Sequence, residues 1–373
     1  MKRFRALFAA LALLLPAAAH ADSKATADDN ARVLAGLPPS AGSPLEPLTR
    51  DTAWQTHAKY FDKAWDSLEQ RQLGKIRAWS AKHVPVRKPV LFYMFSGPDF
   101  LYADAFFEGA SVYVLSGLEP VGAVPDLAAL PPKALGGELR GLQHSLNSVL
   151  SFSFFITKKM KTELRDGRLT GTLPILYTFL ARSGKTVRET TLVTLNPDGT
   201  VTPVADGPLE KGASPGVKIT FVSGSGAEQT LYYFSTDLSN WGLKTSGFLA
   251  FCKGFGQGDS FVKSASYLMH SDNFSTVRDF VVANTATLVQ DDSGVPIRFL
   301  DEKDWRIEAF GRYLKPISIF SPKTYQPQMR DLFAKGRAQP LDFGIGYRWR
   351  PNESNLLLAV RETVRAEAEQ PRP

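Results

Sequence analysis

The chain has 373 residues, 43% of them hydrophobic, and its 44 basic and 37 acidic residues give a formal net charge of +7. Lys and Arg are scattered along the sequence, so neither a nucleic-acid-binding surface nor a nucleic-acid partner is predicted. The single cysteine, Cys252, cannot form an internal disulfide, and its apolar neighbours predict a buried structural thiol.

The first 21 residues have the three parts of an export signal. Three basic residues precede an apolar run over 6–15, and the small residues Ala19 and Ala21 fit a signal-peptidase site. The run is shorter than the about 20 residues of a membrane-spanning helix. The sequence therefore predicts cleavage after Ala21 and a periplasmic or secreted protein with no transmembrane segment in the mature chain.

The rest of the chain is long enough for two lobes or for one large mixed domain. Residues 22–50 are rich in Ala, Pro, Ser and Gly and predict a flexible leader. Apolar residues then recur every three or four positions from Trp54 to Trp79, which predicts a long helix packed on the core. The predicted divisions are a signal peptide at 1–21, the leader at 22–50, a helical and βαβ lobe at 51–170, an antiparallel α+β lobe at 171–361 and a disordered tail at 362–373.

Two short apolar runs, 90–95 and 111–116, predict buried strands, and 100–107 between them predicts a short helix. This order predicts a Rossmann-like βαβ unit with parallel strands. The turn after the first strand, Ser96-Gly-Pro-Asp99, lacks the glycines of a dinucleotide-binding loop. Exported proteins also meet little nucleotide cofactor, so no cofactor is predicted.

Beyond residue 172 the pattern predicts mainly antiparallel strands with covering helices. The fold class is therefore mixed α/β (α+β), with the N-terminal helix and the βαβ unit continued by these strands. The strands are predicted at 173–181, 186–195, 200–204, 217–222, 229–235, 247–252, 287–290, 295–300 and 356–360, and the helices at 137–165, 259–270 and 274–285.

Two glycine-containing segments resemble phosphate-binding loops only in part. In Gly254-Phe-Gly-Gln-Gly258 the third glycine of the fingerprint is replaced by Asp259, and the segment is better explained by Asp259 or Ser260 as a helix N-cap. Ser183-Gly-Lys-Thr186 is explained by a hairpin tip. The histidines have no zinc-ligand spacing, so no metal site is predicted either.

Carboxylates at predicted strand ends and turns are the candidate catalytic residues: Asp99, Glu119, Asp291 and Asp292, together with His270. Paired carboxylates in different environments can act as proton donor and as base or nucleophile. Asp99 and Glu119 would lie at the carboxyl ends of adjacent parallel strands, where open α/β sheets place their sites. The simpler roles are a helix cap for Asp99, a tight turn for Asp291 and Asp292, and a helix C-terminus for His270.

Three segments resemble a family of uncharacterised secreted bacterial proteins. They are Phe95-Ser-Gly-Pro-Asp-Phe-Leu-Tyr-Ala-Asp104, Gly117-Leu-Glu-Pro-Val-Gly122 and Gln290-Asp-Asp-Ser-Gly-Val-Pro296. The resemblance extends over most of the mature chain, to about Phe320. It implies an exported bacterial protein and carries over no catalytic residues, since that family has no established activity.

Two functions remain open from the sequence. The first is a non-catalytic periplasmic or envelope-associated protein that binds a small molecule, a glycan or an envelope protein, because no catalytic motif is assembled. The second is a cofactor-independent hydrolase or glycan-active enzyme that uses the carboxylates. Whether Asp99, Glu119 and the 291–292 turn share one cleft distinguishes the two.

Overall fold

The computed structural model describes residues 25–84, 86–131, 133–152, 167–320, 322–334 and 338–363. The predicted export signal, the end of the helix predicted at 137–165 and all but the first two residues of the predicted tail lie outside these ranges. Within the described ranges, no helix is both long enough and apolar enough to cross a membrane.

Three α-helices open the described part of the chain, and helices and strands are mixed along the rest of it. The α-helices are α1 Ala27–Leu34, α2 Thr52–Leu68, α3 Gly74–His83, α4 Phe100–Phe106, α5 Leu135–Phe152, α6 Leu173–Arg182, α7 Phe248–Lys253, α8 Ser275–Asn284 and α9 Pro327–Ala334. The strands are β1 Val90–Tyr93, β2 Val112–Gly117, β3 Thr186–Leu195, β4 Val201–Pro203, β5 Ser214–Val222, β6 Glu228–Ser235, β7 Gly258–Val262, β8 Thr285–Gln290, β9 Trp305–Gly311 and β10 Asn355–Arg361.

These strands form one sheet in the order β4-β3-β5-β6-β2-β1-β7-β8-β10-β9. The five strands from β6 to β8 run parallel, whereas the strands on both flanks pair antiparallel. The fold is thus mixed α/β as predicted, and the parallel pairing of β1 with β2 is confirmed. Strands from both predicted lobes contribute to this sheet, with β1 and β2 at its centre.

The order of the parallel strands reverses between β1 and β7. From β1 the chain proceeds to β2 and β6 on one side, and then to β7 and β8 on the other. In open α/β sheets, ligands bind outside the carboxyl ends of the strands at such a switch point. A ligand site is therefore expected near the segments that follow β1 and β7.

Both faces of the sheet are covered. Leu91 and Tyr93 of β1 join the core formed with α1 to α6, whereas Val90 and Phe92 join the core formed with α7 and α8. This alternation is what a strand buried on both faces requires. Cys252 lies in the second core and is fully buried, as predicted, and burial raises the pKa of its thiol.

Several predicted elements are wrong in type. Segments 173–181 and 247–252 are helices rather than strands, and 295–300 contains only the short 3₁₀ helix Ile297–Phe299. Strand β9 was not predicted. Leu173 to Ala181 are all buried, so α6 has no polar face, and a short apolar run of this kind fits a buried strand equally well.

The predicted flexible leader contains the helix α1, which is part of the core. Thr26 and Asp29 form a reciprocal capping box at its start, and Val33 and Leu34 are fully buried. The indole nitrogen of Trp54 donates a hydrogen bond to the Val33 carbonyl at 3.0 Å. Because α1 spans only about two turns, it offers too little periodicity to be recognised in the sequence.

The segment 259–270, predicted as a helix, begins as strand β7. Neither Asp259 nor Ser260 therefore caps a helix. The Asp259 Oδ2 accepts a hydrogen bond from the Lys88 backbone N–H at 2.8 Å. Ser260 is also buried, and its hydroxyl lies 2.7 Å from the Thr285 hydroxyl across the β7–β8 pair. The strand could not be recognised in the sequence, because its buried polar residues have hydrogen-bond partners only in the folded sheet.

Asp259 makes stability depend on pH. Burial raises its pKa from 3.8 to about 7, so the folded state holds a proton that the unfolded chain has released. Stability is therefore lost as pH rises from about 4 through 7. We expect Asp259→Asn to melt at a progressively higher temperature than the parent protein as pH increases from 5 to 8, measured by calorimetry.

The control for this prediction is Asp198→Asn. Asp198 is fully exposed to solvent, and hydrogen bonds from Thr200 lower its pKa, so its carboxylate stays ionised between pH 5 and 8. The difference in melting temperature between this variant and the parent protein should be constant over that range. A constant difference for Asp259→Asn as well would contradict the prediction.

Candidate ligand-binding site at the switch point

Asp99 and Lys263 form a buried ion pair at the switch point. Asp99 follows β1 and Lys263 follows β7. The Lys263 Nζ lies 2.9 Å from the Asp99 Oδ2, and the side chain of Lys263 is 2% exposed and that of Asp99 1% exposed. The Tyr93 hydroxyl donates to the same oxygen at 2.8 Å. Asp99 Oδ1 accepts from the Tyr102 backbone N–H at 3.3 Å, which caps α4.

The ion pair is enclosed by aromatic rings. The Lys263 ammonium lies 4.4 Å from the centre of the Tyr102 ring, close enough for a cation–π contact. Burial and the neighbouring Asp99 raise the pKa of Tyr93 well above its usual value, so its hydroxyl remains a donor. Both carboxylate oxygens of Asp99 are thus bound inside the protein, which favours the capping role over a catalytic one.

Asp291 follows β8 and holds the backbone that follows β7. Its Oδ2 accepts from the Ser264 N–H at 3.0 Å, and its Oδ1 accepts from the Ser293 N–H at 2.9 Å. Burial raises the pKa of Asp291, while hydrogen bonds from Ser293 and Ser264 and the charge of Lys263 oppose that rise. The charge of Lys263 therefore acts on both Asp99 and Asp291.

The segment 264–267 has a strained backbone. Ser264, Ser266 and Tyr267 have positive φ angles of 53°, 51° and 54°, and in the described ranges the remaining such non-glycine residue is Phe95, after β1, at 60°. Each of these conformations costs of order 1–3 kcal/mol and persists only where neighbouring groups fix it. All four residues flank the switch point, and strain concentrated in this way is typical of functional sites.

Asp292 and Tyr347, which lie far from the strained segment in the sequence, hold it through side-chain hydrogen bonds. The Tyr267 hydroxyl donates to Asp292 Oδ2 at 2.6 Å, and Asn355 Nδ2 donates to Asp292 Oδ1 at 3.2 Å. Burial, followed by the nearby Asp291, raises the pKa of Asp292 to about 6. The Tyr347 hydroxyl donates to the Ser264 carbonyl at 2.7 Å. Both carboxylates of the 291–292 turn thus position the 264–267 segment.

A cleft of about 870 Å³ lies beside this segment. Its wall is connected to the strained turn by Phe320, whose ring centre is 4.8 Å from that of Tyr267 and 4.9 Å from that of Tyr347. The volume is within the range of about 300–1,000 Å³ usual for small-molecule sites. The lining residues are Leu314, Lys315, Pro316, Ile317, Ser318, Phe320, Pro322, Tyr325 and Arg348.

Glu119 follows β2 and contacts the turn that carries Asp99. The Tyr233 hydroxyl donates to the Glu119 carbonyl at 2.8 Å and to its Oε2 at 3.3 Å. The carboxylate packs against Gly97, where an added Cβ would lie 3.4 Å from Oε2. Glu119 is 3% exposed, and its carboxylate is bound by Tyr233 rather than by Lys263.

His270 ends the 3₁₀ turn Leu268–His270, and its ring centre is 5.1 Å from that of Tyr267. Burial, followed by the charge of Arg298, lowers its pKa to about 4, so the imidazole is neutral at physiological pH. Its Nε2 is buried and has no hydrogen-bond partner within the described residues. His270 therefore supports the ring of Tyr267 rather than pairing with a carboxylate.

The predicted residues thus fall into three groups. Asp99 pairs with Lys263, whose charge also acts on Asp291; Asp292 and His270 both contact Tyr267; and Glu119 contacts Tyr233. None of them lines the cleft. Their catalytic role stays a prediction. Sequence reasoning missed Lys263, because β7 was assigned to a helix, and it missed the cleft, because residues 314–325 have no periodic pattern.

No protein-family model matches the chain, and the same is true of curated proteins and of solved structures.

Proposed function

We propose that this is an exported, non-catalytic protein that binds a small molecule in the cleft between Phe320, Tyr325 and Arg348. The observation that carries the proposal is the position and size of this cleft, about 870 Å³ beside the segment that follows β7 at the switch point. Its lining combines apolar and aromatic side chains with a few polar groups, the usual composition of a ligand site.

The alternative is a hydrolase or glycan-active enzyme that uses the carboxylates. A general acid or base must reach the substrate within hydrogen-bond distance. Asp99 is bound by Lys263 and Tyr93, and the oxygens of Asp291 accept bonds from Ser264 and Ser293. These contacts support positioning roles, so the geometry favours binding over catalysis.

The proposal is tested by native mass spectrometry of protein purified from the periplasm of its own cells. We expect a polypeptide mass that corresponds to a chain starting at Asp22, accompanied by a non-covalent small-molecule adduct. Ile317 lines the cleft, so Ile317→Trp should fill it and remove the adduct. The released ligand should keep its mass after incubation with fresh protein.

A matched control is Val204→Trp. Val204 is 52% exposed and lines a separate cavity of about 410 Å³ near Leu118 and Pro215, so the same side chain is introduced away from the proposed site. This variant should retain the adduct. An adduct that Ile317→Trp retains, or a parent protein that carries none, would contradict the proposal, and conversion of the released ligand would favour the enzyme.

A further inference from the structure

We propose that the ligand of this cleft is a small organic anion, whose acidic group binds Arg348 and whose apolar part packs against Phe320. The inference rests on the proposed function, because it names the ligand class for the same cleft. It includes carboxylates, sulfonates and phosphate monoesters attached to a ring or an aliphatic chain.

The charged residues that line the cleft are both cationic. Lys315 is exposed and has no ion-pair partner in the part of the chain that the structure describes. The nearest acid on the surface, Glu353, lies 3.6 Å from Arg348 and 3.6 Å from Arg350, so one carboxylate is shared between two guanidinium groups. The buried Asp292 also attracts Arg348 but is held by Tyr267 and Asn355. The cleft therefore favours negative charge.

Arg348 is oriented to receive an acidic group. Its Nε donates to the Lys315 carbonyl at 2.9 Å, which fixes the plane of the guanidinium at the cleft wall. The contact of Nη1 with Glu353 at 3.6 Å is too long for a direct hydrogen bond. The terminal N–H groups can thus bind a carboxylate or phosphate in the paired geometry that arginine favours.

The apolar part of the ligand has a preorganised surface. Phe320 is held between Tyr267 and Tyr347, and Tyr325 stacks on Tyr313 at a ring distance of 5.7 Å and an angle of 22°. Rings that are already fixed by their neighbours lose little conformational entropy when a ligand packs against them. This explains why the strained 264–267 segment is maintained: it supports the aromatic wall.

The experiment compares two fluorescent probes that share one ring system. The first is 8-anilinonaphthalene-1-sulfonate, and the second is N-phenyl-1-naphthylamine, which lacks the sulfonate and is neutral. Each is titrated into the full-length mature protein at fixed ionic strength. We expect the anionic probe to bind at least about ten-fold more tightly, since hydrogen bonds between charged groups are the stronger kind.

Arg348→Gln should weaken the binding of the anionic probe at least about ten-fold and leave the binding of the neutral probe nearly unchanged. The matched control is Arg350→Gln, which removes the same charge beside the same Glu353, but at a side chain that is 62% exposed and does not line the cleft. It should leave the preference for the anion intact. The comparison of probes in the parent protein does not depend on how either variant folds.

The outcomes separate the two proposals. If neither probe binds, or if Ile317→Trp binds both as well as the parent protein does, the cleft is not the site and both proposals fail. If Ile317→Trp blocks both probes but the parent protein binds them equally, the cleft stands and the anion inference is overturned. Equal losses in Arg348→Gln and Arg350→Gln would also overturn it, because general surface charge would then explain the preference.

Discussion

Replacing Lys263 with Met is expected to lower the free energy of unfolding by about 3–5 kcal/mol. The substitution removes the cation from a pair that is almost fully buried and leaves Asp99 with a charge that no water can solvate. Tyr93 and the Tyr102 N–H remain as donors, but neither carries a positive charge. Chemical denaturation followed by circular dichroism measures the loss.

The control variant is Lys75→Met. Lys75 pairs with Asp342 at 3.8 Å, and both side chains are well exposed, so this change should cost no more than about 1 kcal/mol. The double variant Lys263→Met with Asp99→Asn should be more stable than the sum of the single losses predicts, because the unpaired charge is gone. A Lys263→Met protein as stable as the parent would show that the pair does not hold the switch point.

Asp99→Asn distinguishes the structural role of Asp99 from a catalytic one. Asparagine cannot pair with the Lys263 ammonium as a charge, so the structural role requires a large loss of stability. A catalytic role requires that turnover disappears while the melting temperature hardly changes. The contacts of Asp99 lead us to expect the first result.

The sequence indicated that the site lies at the carboxyl ends of the parallel strands, but it did not indicate the cleft. Asp99 and Glu119 were expected at the ends of adjacent parallel strands because β1 and β2 are short apolar runs, and the structure confirms that placement. Lys263 was hidden because β7 includes Asp259 and Ser260. Those residues fit a buried strand only because they form hydrogen bonds with other segments. A local sequence pattern contains no information on such partners.

The cleft could not be predicted for a related reason. Its lining comes from Arg348 and, more than twenty positions earlier, from residues between 314 and 325, where the described part of the chain has no strand and only the short 3₁₀ helix Pro322–Thr324. A hydrogen bond between Arg348 and the Lys315 carbonyl brings the two parts together. The 291–292 turn was identified correctly as a turn, but its partners Ser264 and Tyr267 emerge only from the tertiary structure.

Gly346→Ala is expected to destabilise the protein and to weaken ligand binding together. Gly346 has a φ of +69°, and a Cβ at this position would overlap the Asp291 Oδ2. Asp291 must then shift away from the Ser264 N–H, so the strained segment loses a bond that holds it. We expect a loss of at least about 2 kcal/mol, from the left-handed backbone and the displaced hydrogen bonds combined.

Gly184→Ala isolates the backbone contribution. Gly184 has almost the same φ, +70°, but an added Cβ there meets no atom within 4 Å. It should lose only about 1–2 kcal/mol and bind the anionic probe like the parent protein. Gly346→Ala should lose more stability and should also bind both probes more weakly, because Tyr267 and Phe320 are no longer held in place. Unchanged probe binding in Gly346→Ala would mean that the carboxylates at 291–292 stabilise the sheet edge without supporting the cleft.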